Sequence, residues 1–229
     1  MKVLFIGNSH TYFNDMPRLF SDMYKSLTGE AAEVTMLAYS GRTLHWHTKE
    51  YFSIRFALLY GAYDYCVIQQ LGHPFPGYEK TEPEVASLTA LCRSVGTKPV
   101  LYMTWAKKDE PENIAEITAA YRKLAEQHDA LLAPIGELFD RLRVEHPEIE
   151  LYWKDGAHAS ECGTYLIAAT FAALLTDAKD LLPISNRTIL FDAVFDSEHP
   201  KANEDRQTLS REIDSETASV LRAAAESVK

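Results

Sequence analysis

Five apolar runs of strand length, separated by stretches of helical period, leave this chain few folds to choose from. Val3 to Ile6, Val34 to Ala38, Tyr65 to Ile68, Val100 to Thr104 and Leu131 to Pro134 are apolar almost throughout rather than alternating, as strands covered on both faces are. Between the first two, Met16, Leu19, Phe20, Met23, Tyr24 and Leu27 recur at helical spacing. Asn14 and Asp15 stand before them as caps, Pro17 falls in the first turn, and Gly29 follows as a stop. Phe52 to Tyr60, Glu84 to Val95 and Glu112 to His128 supply three more crossovers. Ile167, Thr170, Phe171, Leu174 and Leu175 mark a further helix opened by Ser160. A parallel sheet with helices on both faces is the expected α/β architecture.

The chain has 229 residues, 46% of them hydrophobic, enough for one well-cored domain. That domain is expected over 1–185, with 186–229 as an extension. Beyond Asp196 the extension is polar enough to be a linker, and Leu209 to Val228 forms a weakly amphipathic helix suited to joining two copies as a homodimer. The 33 acidic residues outnumber the 23 basic ones, and the basic residues are scattered, which argues against a nucleic-acid partner. Cys66, Cys92 and Cys162 lie far apart, with neither a disulfide framework nor a thiolate zinc pattern. No apolar run reaches the ~18 residues that a membrane span needs. As it stands the sequence reads as cytoplasmic, or as secreted or periplasmic if a leader has been removed.

In an open parallel sheet, ligands bind beyond the carboxyl ends of the strands. The first strand runs into Gly7-Asn8-Ser9-His10-Thr11. A glycine there permits a tight turn, and a serine at the start of the following helix offers its hydroxyl together with nearby N–H groups. Ser9 is thus a candidate nucleophile or a turn serine. A nucleophilic hydroxyl needs a base, and the base needs a group to orient it. Asp155-Gly156-Ala157-His158 places a carboxylate three residues before an imidazole, in a loop preceding a helix. Neither a G-x-S-x-G elbow nor a phosphate loop occurs, and no cofactor is implied. His10, His45, His47 and His73 lack the spacing of a metal site, so no metal is expected, and loop histidines at the rim of a pocket are the simpler account. Tyr12, Trp46, Tyr78 and Trp105, mostly after strands or in loops, are candidates to line a pocket for sugar rings or an acyl chain.

Together, Gly7-Asn8-Ser9 and Asp155 to His158 resemble the first and last blocks of the SGNH (GDSL-like) hydrolase superfamily, in the order that family requires. The resemblance implies a three-layer α/β fold, flavodoxin-like, with a five-stranded parallel sheet in the order 2-1-3-4-5. It implies Ser9 as nucleophile, His158 as base and Asp155 as its orienter. Gly41 falls where the family keeps a glycine whose N–H joins that of Ser9 in an oxyanion hole. The third block departs: where the family has Gly-x-Asn, this chain reads Gln69-Gln70-Leu71-Gly72-His73-Pro74, and proline has no N–H to donate. A glutamine amide donates as an asparagine does, so Gln69 or Gln70 is expected to complete the hole. The reaction implied is hydrolysis of a short-chain, above all acetyl, ester of a carbohydrate or similar polar alcohol. His10, Tyr12, Trp46, His73 and Trp105 are the substrate-binding candidates. The alternatives are a non-catalytic ligand-binding module that keeps the fold, favoured by the missing asparagine, and a flavodoxin-like nucleotide binder.

Overall fold

The five expected strands form one parallel sheet, and its two faces are covered by different sets of helices. In the computed structural model, which describes residues 1–189 and 210–228, the strands are β1 (Lys2–Gly7), β2 (Glu33–Ala38), β3 (Tyr65–Ile68), β4 (Lys98–Tyr102) and β5 (Leu131–Ala133). They pair in the order β2-β1-β3-β4-β5. Val3 lies opposite Val34 on one side and Tyr65 on the other, so the carboxyl ends of β1 and β3 come to the same edge.

Successive strand residues point to opposite faces, and this sorts the core into two halves. Val3 and Phe5 of β1, Val67 of β3, and Val100 and Tyr102 of β4 face a cluster completed by α2 (Met16–Thr28), α7 (Ile135–Glu145) and α8 (Glu161–Leu174). Leu4, Ile6, Cys66, Ile68 and Leu101 face the other. That half is closed by α4 (Tyr51–Gly61), α5 (Tyr78–Ser94) and α6 (Ile114–Gln127) through Leu58, Leu88 and Leu124. Two short helices, α1 (Ser9–Tyr12) and α3 (Leu44–Lys49), sit above the carboxyl edge after β1 and β2. The sequence places Ser9 at the start of a helix, as in α1, whereas α3 was not expected. The helix α7 was also missed, although Ile135, Leu138, Phe139 and Leu142 keep the helical period and are all buried. All three cysteines carry free thiols.

Two expectations need correction. Asn14 and Asp15 do not cap α2 with their side chains; both take left-handed backbone angles, φ 53° and 48°. Such angles cost a non-glycine residue energy, and the surrounding contacts hold Asn14 in place. Its Nδ2 donates to the Ala159 carbonyl and to Thr164 Oγ1, fastening the loop after β1 to the start of α8.

The second correction concerns the extension. The final described helix, α9 (Ser215–Glu226), is no appendage: Ala218, Leu221, Ala224 and Ala225 are buried in the same cluster as α8. Helix α8 is buried from Gly163 to Ala173, apolar nearly all round, because α2 and the sheet cover part of it and α9 the rest. The apolar face of α9 is therefore spent inside the chain and is not free to join two copies. Arg222 adds hydrogen bonds to Tyr165 and Asn186. The polar run after Asp196 that was expected as a linker lies outside the described residues. Among the described residues no helix is long and apolar enough to cross a membrane.

Leu221→Ala should therefore destabilise the whole domain by about 2–5 kcal/mol, as deletion of a buried leucine side chain does. Removal of the segment from Ser210 onward should leave a chain that fails to fold cooperatively. Urea unfolding of both variants checks this; an unchanged midpoint for Leu221→Ala would return α9 to the status of an appendage.

Candidate active site

The turn that follows β1 is held from every side before any chemistry is considered. Gly7 has no room for a side chain: a Cβ there would stand 2.3 Å from Gln69 Oε1 and 2.4 Å from Thr11 Oγ1. Its carbonyl accepts from Tyr39 N–H and lies 2.7 Å from His47 Nε2, whose ring is buried in α3. Asn8 caps α1 through Oδ1, which accepts from His10 N–H, while its Nδ2 donates to the Arg42 carbonyl at 3.0 Å. The second bond ties the loop carrying Gly41 (φ 64°, a conformation that favours glycine) to the turn carrying Ser9. Tyr102 Oη, at the end of β4, donates to the His10 carbonyl.

Beyond the sheet edge, the segment before α8 brings a carboxylate and an imidazole to Ser9. His158 Nε2 lies 2.8 Å from Ser9 Oγ, and His158 Nδ1 lies 2.6 Å from Asp155 Oδ2. The other carboxylate oxygen of Asp155 accepts the N–H groups of Ala157 and His158, both at 2.9 Å. This tight loop needs Gly156 at φ 69°. Burial alone would raise the Asp155 pKa, but the hydrogen bonds from the His158 ring and the two backbone N–H groups outweigh it and hold the carboxyl below its usual range. With Asp155 ionised, Nδ1 carries the proton and Nε2 is left as the acceptor facing Ser9. The His158 ring stacks on Phe13 at 4.4 Å and on His10 at 5.1 Å.

The sequence-predicted residues divide into those that meet here and those that do not. Ser9, Asp155 and His158 form one hydrogen-bonded chain. The N–H groups of Ser9 and Gly41 are engaged by no other group among the described residues. Both glutamine amides are engaged within the fold. Gln69 is fully buried, with Oε1 accepting from Asn8 N–H (2.8 Å) and Thr11 Oγ1 (2.9 Å) and Nε2 donating to the Gln70 carbonyl. Gln70 points to the other face, where Oε1 accepts from the N–H groups of Leu44 and Leu71 and Nε2 donates to Thr81 Oγ1. Buried amides must be satisfied, and the nearest partners were the turn and the helices around it rather than the mouth of the site. Gln69 thus acts as a brace beneath the Ser9 turn.

Trp105 is likewise not a pocket residue. It is fully buried, stacks on Phe139 at 4.3 Å, and its Nε1 donates to the Ala157 carbonyl, clamping the Asp155–His158 loop from below. Trp46 sits half-buried beside Tyr39 and under the Arg42 guanidinium, next to Gly41. Tyr12, half-buried, closes α1 three residues after Ser9. Of the two histidines around Trp46, His45 is exposed and paired with Glu84 while His47 braces Gly7, because the segment is helical rather than extended. His10 is 6% exposed and packs against His73 at 4.9 Å and Trp105 at 5.1 Å. Phe13 and Asn14, which position His158 and its loop, were missed as site residues; no local signal marks them, since their roles depend on contacts with residues some 145 positions away.

The sheet order and the layering can be set beside known structures. TesA superposes with a TM-score of 0.61 at 17% identity, over 77% of this chain and 98% of that one. The two chains share the fold. The acetyl xylan esterase AlAXEase gives 0.61 at 19% identity, over 73% of this chain and 96% of its own. The esterase EstA from Pseudoalteromonas sp. gives 0.57 at 14%, over 76% and 96%. No family model matches the chain, and no curated protein sequence does. At these identities the likeness is one of fold.

Three imidazoles around the site, His10 and His47 buried and His73 half-buried, have a consequence for stability. Burial, with smaller contributions from neighbouring histidines, holds His10 well below its ordinary value of 6.5, and burial also lowers His47. His73 is lowered to about 4 by burial and by the nearby Lys107 charge. A histidine whose folded pKa is depressed takes up its proton more readily in the unfolded chain, so between about 4 and 6.5 the unfolded state binds more protons and stability falls as pH falls. The urea midpoint should drop between about pH 7 and pH 5, and His73→Asn should flatten that drop. A midpoint that is level over this range would mean that the rings are charged in the folded protein.

Proposed function

We propose that this protein is a serine ester hydrolase in which Ser9 is the nucleophile, His158 the general base and Asp155 the group that orients it. The observation that carries this reading is the unbroken hydrogen-bonded chain from Ser9 Oγ through both nitrogens of His158 to Asp155. In the first step Ser9 Oγ bonds to the ester carbonyl carbon as its proton passes to His158 Nε2. The carbonyl π electrons move to oxygen, and the oxyanion is met by the N–H groups of Ser9 and Gly41. Collapse expels the alcohol, which takes the proton from Nε2, and leaves an acyl group on Ser9. Water then enters by the same route in reverse, with His158 accepting its proton, and releases the acid and free Ser9.

For substrate we favour a short acyl group, acetyl above all, on a carbohydrate or similar polar alcohol. Two of the structures that share the fold are named as an acetyl xylan esterase and an esterase, and these names support this choice. The hole proposed here has two backbone donors and no glutamine amide, since both amides are buried and donate to other groups.

Ser9→Ala should reduce hydrolysis of 4-nitrophenyl acetate to below ~1% of the parent while leaving the unfolding midpoint unchanged, and should abolish labelling by a fluorophosphonate probe. Failure of the folded parent protein to label would favour the non-catalytic binding module instead. Gln69→Leu should lower kcat about tenfold or more with little change in KM, because it frees the Asn8 N–H and Thr11 hydroxyl that hold the Ser9 N–H in line. Gln70→Leu should lower stability but leave kcat per folded molecule near that of the parent.

A further inference from the structure

A cavity of about 350 Å³ opens between the segment after β3 and the segment leading into α6. His73 forms the wall nearest the site: its ring lies 4.9 Å from His10, which in turn stacks on His158. The rest of the lining includes Phe75, Lys107, Glu110, Asn113 and Glu116. This volume lies at the lower end of those that hold small-molecule ligands.

We infer that this cavity receives the alcohol part of the ester and selects a neutral polyhydroxylated alcohol over an anionic one or a long alkyl chain. The inference rests on the serine-hydrolase reading for its orientation. In that reaction the oxyanion faces the N–H groups of Ser9 and Gly41, whereas the departing oxygen must collect its proton from His158 Nε2. The alcohol is therefore held next to His158, and the packed rings of His10 and His73 lead from His158 to the cavity wall.

The chemistry of the lining sets the class of alcohol. Glu110 is already engaged, by Lys107 Nζ at 3.3 Å and by Asn113 Nδ2 at 2.9 Å. Glu116 has no ion-pair or hydrogen-bond partner among the described residues and remains an acceptor for hydroxyl groups. His73 Nε2 is buried without a partner, and the ring is neutral near pH 7, so it offers hydrogen bonding without charge. Two carboxylates against one lysine leave the cavity negative, which disfavours a carboxylate or phosphate on the alcohol. Phe75 supplies an apolar face of the kind that packs against the C–H side of a pyranose ring. Five polar or charged side chains make the cavity a poor place for a long alkyl group, because desolvating them without hydrogen bonds in return is costly.

The test compares 4-nitrophenyl acetate, which has no polyol, with a methyl mono-O-acetyl-β-D-xylopyranoside and a mono-O-acetyl glucuronide. In Glu116→Ala and in Phe75→Ala, KM for the acetylated xyloside should rise about tenfold with kcat nearly unchanged, and the kinetics on 4-nitrophenyl acetate should stay within about twofold of the parent. Glu116→Lys should narrow the preference of the parent for the xyloside over the glucuronide by about tenfold. Unchanged KM for the xyloside in both folded alanine variants overturns the assignment. If the parent hydrolyses none of the three esters, the serine-hydrolase reading fails by itself. The cavity is then judged by saturation-transfer NMR with methyl β-D-xylopyranoside, where a signal lost in Glu116→Ala upholds it and no signal in the parent overturns it.

Discussion

The contact between Ser9 Oγ and His158 Nε2 joins residues 149 positions apart, and most of the architecture serves to hold it. Two rigid turns must meet. The first is locked to the carboxyl edge of the sheet by Gln69, His47 and Tyr102, each of which hydrogen-bonds the backbone between Gly7 and Thr11. The second is locked by its own aspartate and by Trp105, whose indole N–H takes the Ala157 carbonyl. Asn14 then bonds the loop after the first turn to the residues after the second. A hydrogen bond between two exposed side chains would be worth little alone. Here the entropy of ordering both side chains is met in advance by packing, and the distance is set by α2 resting on α8.

This dependence explains why the terminal helix matters to a site it does not touch. Helix α8 starts two residues after His158 with Ser160, whose hydroxyl accepts the Gly163 N–H as its cap. Its position therefore fixes that of His158. The small residues along α8, among them Gly163, Ala168, Ala169, Ala172 and Ala173, let α2, the sheet and α9 approach closely. At Gly163 a Cβ would meet the Leu151 carbonyl at 2.3 Å, so the close approach there is one that only glycine allows.

The corner of four rings formed by Phe13, His10, His73 and His158 has two functions in this arrangement. Stacking holds the His158 plane so that Nδ1 meets Asp155 while Nε2 meets Ser9. Burial also keeps His10 and His73 uncharged near neutral pH, so neither competes with His158 for the field of Asp155 nor would repel the imidazolium of the proposed reaction. The cost is a domain whose stability is tied to pH in the range where histidines titrate.

Sequence patterning alone was enough to determine the five strands, their parallel arrangement and the major crossovers, while the candidate trio of Ser9, Asp155 and His158 came from the resemblance of two short blocks to a known family. Those features depend on local periodicity and on residue types at short spacing, which are visible along one dimension. Helix α7 carried the same kind of signal in Ile135, Leu138, Phe139 and Leu142, and was legible in principle. The fate of the two glutamines was not legible. Alternation along β3 says that they point to opposite faces, but which partners satisfy each amide depends on how α1, α3 and α5 settle against the edge. The same holds for Trp105, a loop aromatic by position and a core residue by packing, and for α9, whose weak amphipathicity in the sequence conceals a face buried against an apolar α8. Only tertiary structure decided these, because a polar group near a strand end or a short apolar stripe has several energetically similar partners until the surrounding helices leave just one within reach.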